Sequence, residues 1–279
     1  MKITIADFNK DKEFLVCVDS DGCAMDTMEV KHRKCFAPKA IEVWGLEHIE
    51  NKFLEVWNNV NLYSKTRGLN RFKGLVRTFE LLKEEGMSMP EFSSIKQWTE
   101  TTLELSNPAL QKAIEETNDE QLIKTMEWSK EVNKAISELH NEDKPFPSVK
   151  EGLEIISRSA DIAIVSSANG GAVIDEWTRH GLSYSVKVML GQEAGTKAAC
   201  IEGLKESNFS NDKVLMVGDA PGDLDAALKN GVLYYPILVG KEEFSWKRLA
   251  TEAMSKFLDG SYSGEYQQTL IEEFNQSLK

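Results

Sequence analysis

The feature that most constrains this chain is a series of short apolar runs that alternate with helical patterns. Phe14-Leu15-Val16-Cys17-Val18 stops abruptly at Asp19-Ser20-Asp21-Gly22. Ile162 to Val165, Val186 to Leu190 and Val214 to Val217 have the same form, and Val232 to Val239 is interrupted by Pro236. Runs of this length bounded by turn residues predict buried strands. Val149 to Ile156, Ala172 to His180, Lys197 to Lys205 and Asp223 to Lys229 carry helical spacing between them. Strands alternating with such helices predict βαβ units. The expected class is therefore α/β, with a Rossmann-like parallel sheet covered by helices on both faces.

The stretch after the first run differs. Lys39 to Val60, Arg71 to Glu85 and Gln121 to Leu139 are long helical patterns, and no strand pattern interrupts them. Trp44, Trp57, Trp98 and Trp128, four of the six tryptophans, lie there. This predicts an inserted all-helical domain over residues 28–145, with residues 1–27 and 146–279 forming the α/β core. Pro145 and Pro147 stiffen the return.

Composition narrows the partners. The 279 residues carry a net charge of −12, which repels a nucleic-acid backbone. No window approaches the ~18 consecutive apolar residues of a membrane span. Met1 to Phe14 mixes acids and lysines, so it lacks the apolar core of a signal peptide. Cys17, Cys23, Cys35 and Cys200 form no CxxC pair, and the histidines lack zinc-ligand spacing. A cytoplasmic protein with reduced thiols is expected. An acidic protein that handles an anionic substrate needs local positive charge, from a metal or a basic cluster.

In an open parallel sheet, ligands bind beyond the carboxyl ends of the strands. Asp19 and Asp21 follow the first run, and Ser166 and Ser167 the second. Lys197 opens the helix beyond the third, and Gly218-Asp219-Ala220-Pro221-Gly222-Asp223 follows the fourth. Asp19 and Asp21, two apart on an extended chain, point the same way, and their mutual repulsion favours a cation between them. Magnesium suits such oxygen ligands, and an ionised aspartate can attack phosphorus. Asp-Gly pairs are equally common in plain turns. A serine hydroxyl at a helix start can hold an anion, or Ser167 or Asn169 can simply cap that helix. Lysines are ordinarily surface residues, and an acid such as Asp223 is favoured in any first helical turn.

In combination and in this order, these residues resemble the haloacid dehalogenase-like superfamily. Asp19-Ser20-Asp21 matches its D-x-D motif, Ser166 its hydroxyl motif, Lys197 its lysine, and Gly218-Asp219 with Asp223 its GDxxxD motif. The insert resembles the helical cap of β-phosphoglucomutase-like members, and Asp26 fits that subgroup. Two features depart from the pattern. Cys23 stands where a threonine is frequent, and the insert is longer than a small four-helix cap.

The resemblance implies a Mg²⁺-dependent phosphatase acting on a small phosphorylated metabolite. Asp19 would be the nucleophile and Asp21 the general acid and base. Ser166, Ser167 and Lys197 would hold phosphoryl oxygens. Asp19, Asp21 (through its carbonyl), Asp219 and Asp223 would serve the metal, Asp223 through water or by orienting Lys197. A sugar-phosphate mutase of the β-phosphoglucomutase kind uses the same residues. A non-catalytic metabolite-binding protein would be expected to lack at least one of the acids. The second aspartate argues against carbon–halogen or carbon–phosphorus cleavage. Specificity is expected in the acid-free stretch from Val56 to Val76, at Arg67, Asn70 and Arg71. The chain is expected to act as a monomer or homodimer.

Overall fold

A computed structural model describes residues 4–139 and 142–278. Its sheet has five strands: β1 Phe14–Val18, β2 Ala160–Val165, β3 Val188–Leu190, β4 Val214–Gly218 and β5 Leu233–Pro236. The spatial order is β3-β2-β1-β4-β5 and every pairing is parallel. In register, Val18 lies beside Ile164 of β2 on one side and Val217 of β4 on the other. β1 is therefore the strand at which the sheet order reverses, the place where a crevice opens beyond the strand ends.

Alternation along β1 explains why its sequence reads as one apolar run. Val16 and Val18 join one buried layer, and Leu15 and Cys17 join the other. The first layer is closed by Leu153 of the helix Val149–Ser157 and Trp177 of the helix Gly170–Arg179. The second is closed by Ile201 of the helix Lys197–Lys205 and Ala227 of the helix Pro221–Asn230. A strand covered on both faces has no solvent side, so every position is apolar.

Contacts divide the chain into two compact units. Met1–Thr27 with Asp143–Lys279 form the sheet unit, and Met28–Glu142 form the helical unit. The returning chain is tied to the sheet unit from Lys144 onward. Lys144 O accepts from Asp26 N at 2.8 Å, and Ala24 O accepts from Phe146 N at 3.0 Å. The pattern from Lys39 to Val60 is not one helix. It is Ala37–Trp44, a short 3₁₀ turn, Glu50–Asn58 and a π-helical turn Asn59–Tyr63, with the first helix ending at Gly45. The helices Ser93–Thr101, Asn107–Thr117 and, near the C-terminus, Glu265–Ser277 are further elements that the apolar spacing did not single out. No helix among the described residues is long and apolar enough to cross a membrane.

The helical unit is held by aromatic packing. Trp57 stacks on Phe53 at 5.9 Å and meets Trp128 edge-on at 6.1 Å. Trp44, Trp57, Trp98 and Trp128 are all buried in this one cluster. Large flat side chains supply much buried area per residue, which suits a small helical unit with its own core.

Candidate active site

Asp19 is the first residue past β1. Its backbone N–H donates to Val217 O at 3.0 Å, which carries the sheet ladder one step beyond the strand. Ser20 O then accepts from the N–H groups of Ala24 at 2.9 Å and Met25 at 2.8 Å, closing the turn. Gly22 sits inside it at φ +81°, a value other residues resist. The indole of Trp177 donates to Ser20 Oγ at 2.9 Å, and that of Trp246 donates to Cys23 O at 2.9 Å. Two buried tryptophans therefore anchor the loop that carries Asp19 and Asp21.

Lys197 stands at the start of its helix, behind the Thr196 cap. Its ammonium lies 2.9 Å from Asp19 Oδ1 and 2.5 Å from Asp223 Oδ1. The other oxygen of Asp223 accepts from Ala220 N at 3.0 Å, which fixes the carboxylate in the first turn of its helix. Gly218 makes room for it. A Cβ there would lie 2.3 Å from the Asp223 carboxyl carbon.

Asp19, Asp219 and Asp223 can each bring one oxygen within 4.8 Å of the others, and all three are buried, at 5%, 1% and 0% exposure. Three carboxylates this close in a buried place repel one another unless positive charge lies among them, and Lys197 supplies one such charge to Asp19 and Asp223. Burial pushes the Asp19 carboxyl well above its ordinary range; Lys197 pulls it down, while Asp223 and Asp219 raise it further. Burial works against the charge on Lys197, but Asp19 and Asp223 outweigh it and hold its pKa above the usual lysine value. An all-oxygen donor set of this kind fits a hard divalent cation such as Mg²⁺.

Asp21 is half-buried, and its Oδ1 accepts from Thr27 Oγ1 at 2.5 Å. Its side chain is not part of the three-carboxylate group. Ser166 is buried at the end of β2; its N–H donates to Leu190 O at 2.9 Å, and its Oγ accepts from Ala168 N at 3.1 Å. Ser167, next to it, is exposed. Asn169 caps the following helix, its Oδ1 accepting from Ala172 N at 3.2 Å. The Glu193 carboxylate reaches the same helix start, accepting from Gly170 N at 3.0 Å and Asn169 Nδ2 at 2.5 Å. Cys23 is buried, its Sγ donates to Val217 O at 3.6 Å, and burial raises its pKa, so it packs as a small apolar residue.

The cap residues lie in the helical unit. Arg67 is buried, and its Nη1 donates to Leu62 O at 2.7 Å. Asn70 caps the helix Arg71–Glu84, accepting from Phe72 N at 3.0 Å and donating to Leu105 O at 3.0 Å. Arg71 Nη1 donates to Asn133 Oδ1 at 2.6 Å and Ser129 Oγ at 3.3 Å. Sequence reasoning did not pick out Thr27, Trp177 or Glu193. Their roles depend on partners that are distant in the chain or, for Thr27, on a turn whose shape the sequence leaves open.

The chain is similar to known folds and to one family. It is similar to a predicted phosphoglycolate phosphatase from Haemophilus somnus, at 16% identity and TM-score 0.52, over 82% of this chain and 86% of that one. It is similar to a protein from Bacteroides fragilis named as a haloacid dehalogenase-like hydrolase, at 14% identity and TM-score 0.52, over 84% and 93%. A protein from Lactobacillus delbrueckii subsp. bulgaricus named as a phosphoglycolate phosphatase shows 16% identity and TM-score 0.50, over 80% and 85%. At such identities the likeness is one of fold. Among curated proteins, none matches the chain. The profile of haloacid dehalogenase-like hydrolases matches residues 88–235, more than half of the chain. That span contains Ser166, Lys197, Asp219 and Asp223 and leaves out Asp19 and Asp21, which the fold brings to the same strand ends. By this profile match, the chain belongs to the haloacid dehalogenase-like hydrolase family.

Proposed function

We propose that this protein is a Mg²⁺-dependent phosphatase that hydrolyses a small phosphorylated metabolite through an aspartyl-phosphate on Asp19. The observation that carries the reading is Asp19, Asp219 and Asp223 gathered at the strand ends, with Lys197 bridging Asp19 and Asp223. A phosphate monoester is a dianion, and a site of bare carboxylates would repel it. Lys197 supplies one positive charge, and a bound Mg²⁺, held by Asp19, Asp219 and the carbonyl of Asp21, would supply the rest and screen the incoming phosphoryl group.

An oxygen of Asp19 attacks phosphorus as the bond to the leaving alkoxide breaks, and Asp21, protonated, gives that alkoxide its proton. Asp21, now a carboxylate, takes a proton from water. The water oxygen attacks phosphorus, which frees Asp19 and inorganic phosphate. Proton transfer of this kind contributes about 10²–10⁴-fold in rate. The hydrogen bond from Thr27 supports an orienting role for that residue on Asp21. Lys197 and Ser166, with Ser167 beside it, hold the phosphoryl oxygens, and Asp223 orients Lys197, as its 2.5 Å contact supports.

The reading extends to specificity, with Arg67, Asn70 and Arg71 selecting the rest of the substrate. Each also has a hydrogen bond inside the helical unit, so each would serve fold and recognition together. Four free, buried cysteines support a reducing, cytoplasmic setting, with the protein acting as a monomer or homodimer.

The test is phosphate release from a panel of sugar, nucleotide and organic-acid phosphates, with and without Mg²⁺, for wild type and Asp19→Asn. The expected result is Mg²⁺-dependent release that disappears in the variant. An isomerised sugar phosphate with no release would replace this reading with the mutase. Equal release by Asp19→Asn would remove Asp19 as nucleophile.

A further inference from the structure

The guanidinium of Arg71 is an unusual charge for this protein. The chain holds 45 acidic residues, yet among the described residues no carboxylate pairs with Arg71. Its hydrogen bonds go to neutral oxygens and all leave from Nη1, to Asn133 Oδ1 and Ser129 Oγ. Ser129 Oγ in turn donates to Asn107 Oδ1 at 2.6 Å, so that hydroxyl is committed. The ring of Phe36 lies 5.0 Å from the guanidinium carbon and covers one face.

Such a placement is costly. Burial pushes the ionisation of Arg71 down to about 10, and no neighbouring charge is among its causes. A charge taken from water without a counter-ion is disfavoured unless one arrives. The half-buried side chain runs from fully buried Ser129 to exposed Asn133, so the arrangement opens to solvent at Asn133. Nε and Nη2 make no hydrogen bond among the described residues. Asn133 turns its oxygen to Arg71, which leaves its amide Nδ2 as a donor alongside. Planar donors of this kind, backed by an aromatic ring, match a carboxylate or phosphoryl group and would not be reproduced by lysine.

We propose that Arg71 and Asn133 form an oxyanion-binding site within the helical unit, taking a carboxylate or phosphoryl group of a small metabolite. The anion is either the second charged end of the substrate or a separate effector. The substrate version rests on the phosphatase reading; the site itself does not.

The test is a titration of the ¹⁵N-labelled full chain without Mg²⁺, using malonate and, separately, inorganic phosphate. The Arg71 Nε–Hε signal is identified as the peak lost in Arg71→Lys, or in Arg71→Gln if the first variant fails to fold. A saturating shift of that peak is expected, because a millimolar site fills well below about 50 mM. No shift with either anion up to that concentration overturns the proposal, whatever the protein's activity. Turnover then assigns the source. If the substrate supplies the anion, Arg71→Gln lowers kcat/KM for phosphate esters ending in a carboxylate about tenfold to a hundredfold more than for those ending in a hydroxyl. If a separate effector does, malonate alters turnover of the hydroxyl-ended ester in wild type and leaves Arg71→Gln unaffected.

Discussion

A carboxylate buried beside two others is stable as an anion only when positive charge is held close to it. Lys197 does this for Asp19, and Gly218 lets Asp223 approach closely enough to share that lysine. Gly218→Ala is therefore expected to do more than fill space. Its Cβ would meet the Asp223 side chain at 2.3–2.4 Å, so the carboxylate must leave its place. The expected cost is about 1–3 kcal/mol, seen as a lower urea midpoint. The same argument makes a cation test for Asp219. A ligand that binds the folded state and not the unfolded one raises the melting temperature. Millimolar Mg²⁺ is expected to raise Tm in wild type and to do so far less in Asp219→Asn. An equal rise in both would remove Asp219 from the metal site. The placement of Asp19, Asp21 and Asp219 just past strands, and of Lys197 at a helix start, was legible in the sequence because each follows an apolar run that could be recognised on its own. Thr27 and Trp177 were not, because nothing in their local sequence marks them as supports for Asp21 and Ser20.

At the scale of elements, the strands and the helices between them followed from apolar spacing. The helix Lys197–Lys205 has the bounds that the spacing predicted. Reading Lys39 to Val60 as one pattern failed because apolar spacing continues across Gly45 and a π turn while the backbone does not. Trp57 illustrates what holds the helical unit. It is fully buried, stacks on Phe53, meets Trp128, and its indole donates to His32 Nδ1 at 3.1 Å. Trp57→Ala removes the packing and one buried hydrogen bond, so a loss of about 3–5 kcal/mol is expected in urea unfolding. Asp143, at the return to the sheet unit, accepts from Arg179 and, at 3.3 Å, from His180 Nε2. Burial opposes its ionisation, but Arg179 and His180 outweigh it and keep its pKa below the ordinary carboxylate value. A carboxyl lowered in the folded state stabilises above its unfolded pKa, and that contribution is lost as pH falls through the folded value. Asp143→Asn is expected to cost about 1 kcal/mol at neutral pH, a figure kept small because Arg179 is partly exposed. The gap to wild type should close below about pH 4. A series of urea midpoints from pH 3 to 7 (roughly the carboxylate range) measures it, and a constant gap would show that ionisation is not the cause.

For the whole molecule, the sequence by itself determined the class of the core and which acids and which lysine follow its strands. Period and turn residues specify strands and helices locally, and a right-handed parallel arrangement sends successive strand ends to one edge. The helical insert was legible as a change of period and as a concentration of tryptophans. The tertiary structure decided which of those residues touch. Lys197 bridges Asp19 and Asp223, although 178 and 26 positions separate it from them in the chain (197 − 19 and 223 − 197). It also decided that Arg71, among the described residues, hydrogen-bonds to neutral oxygens and lies over an aromatic ring, in a chain whose net charge of −12 gave no hint of it. The reason is physical. Periodicity reports which face of an element is buried, whereas the pairing of charges depends on which elements pack together, and that is settled by the cores those elements share.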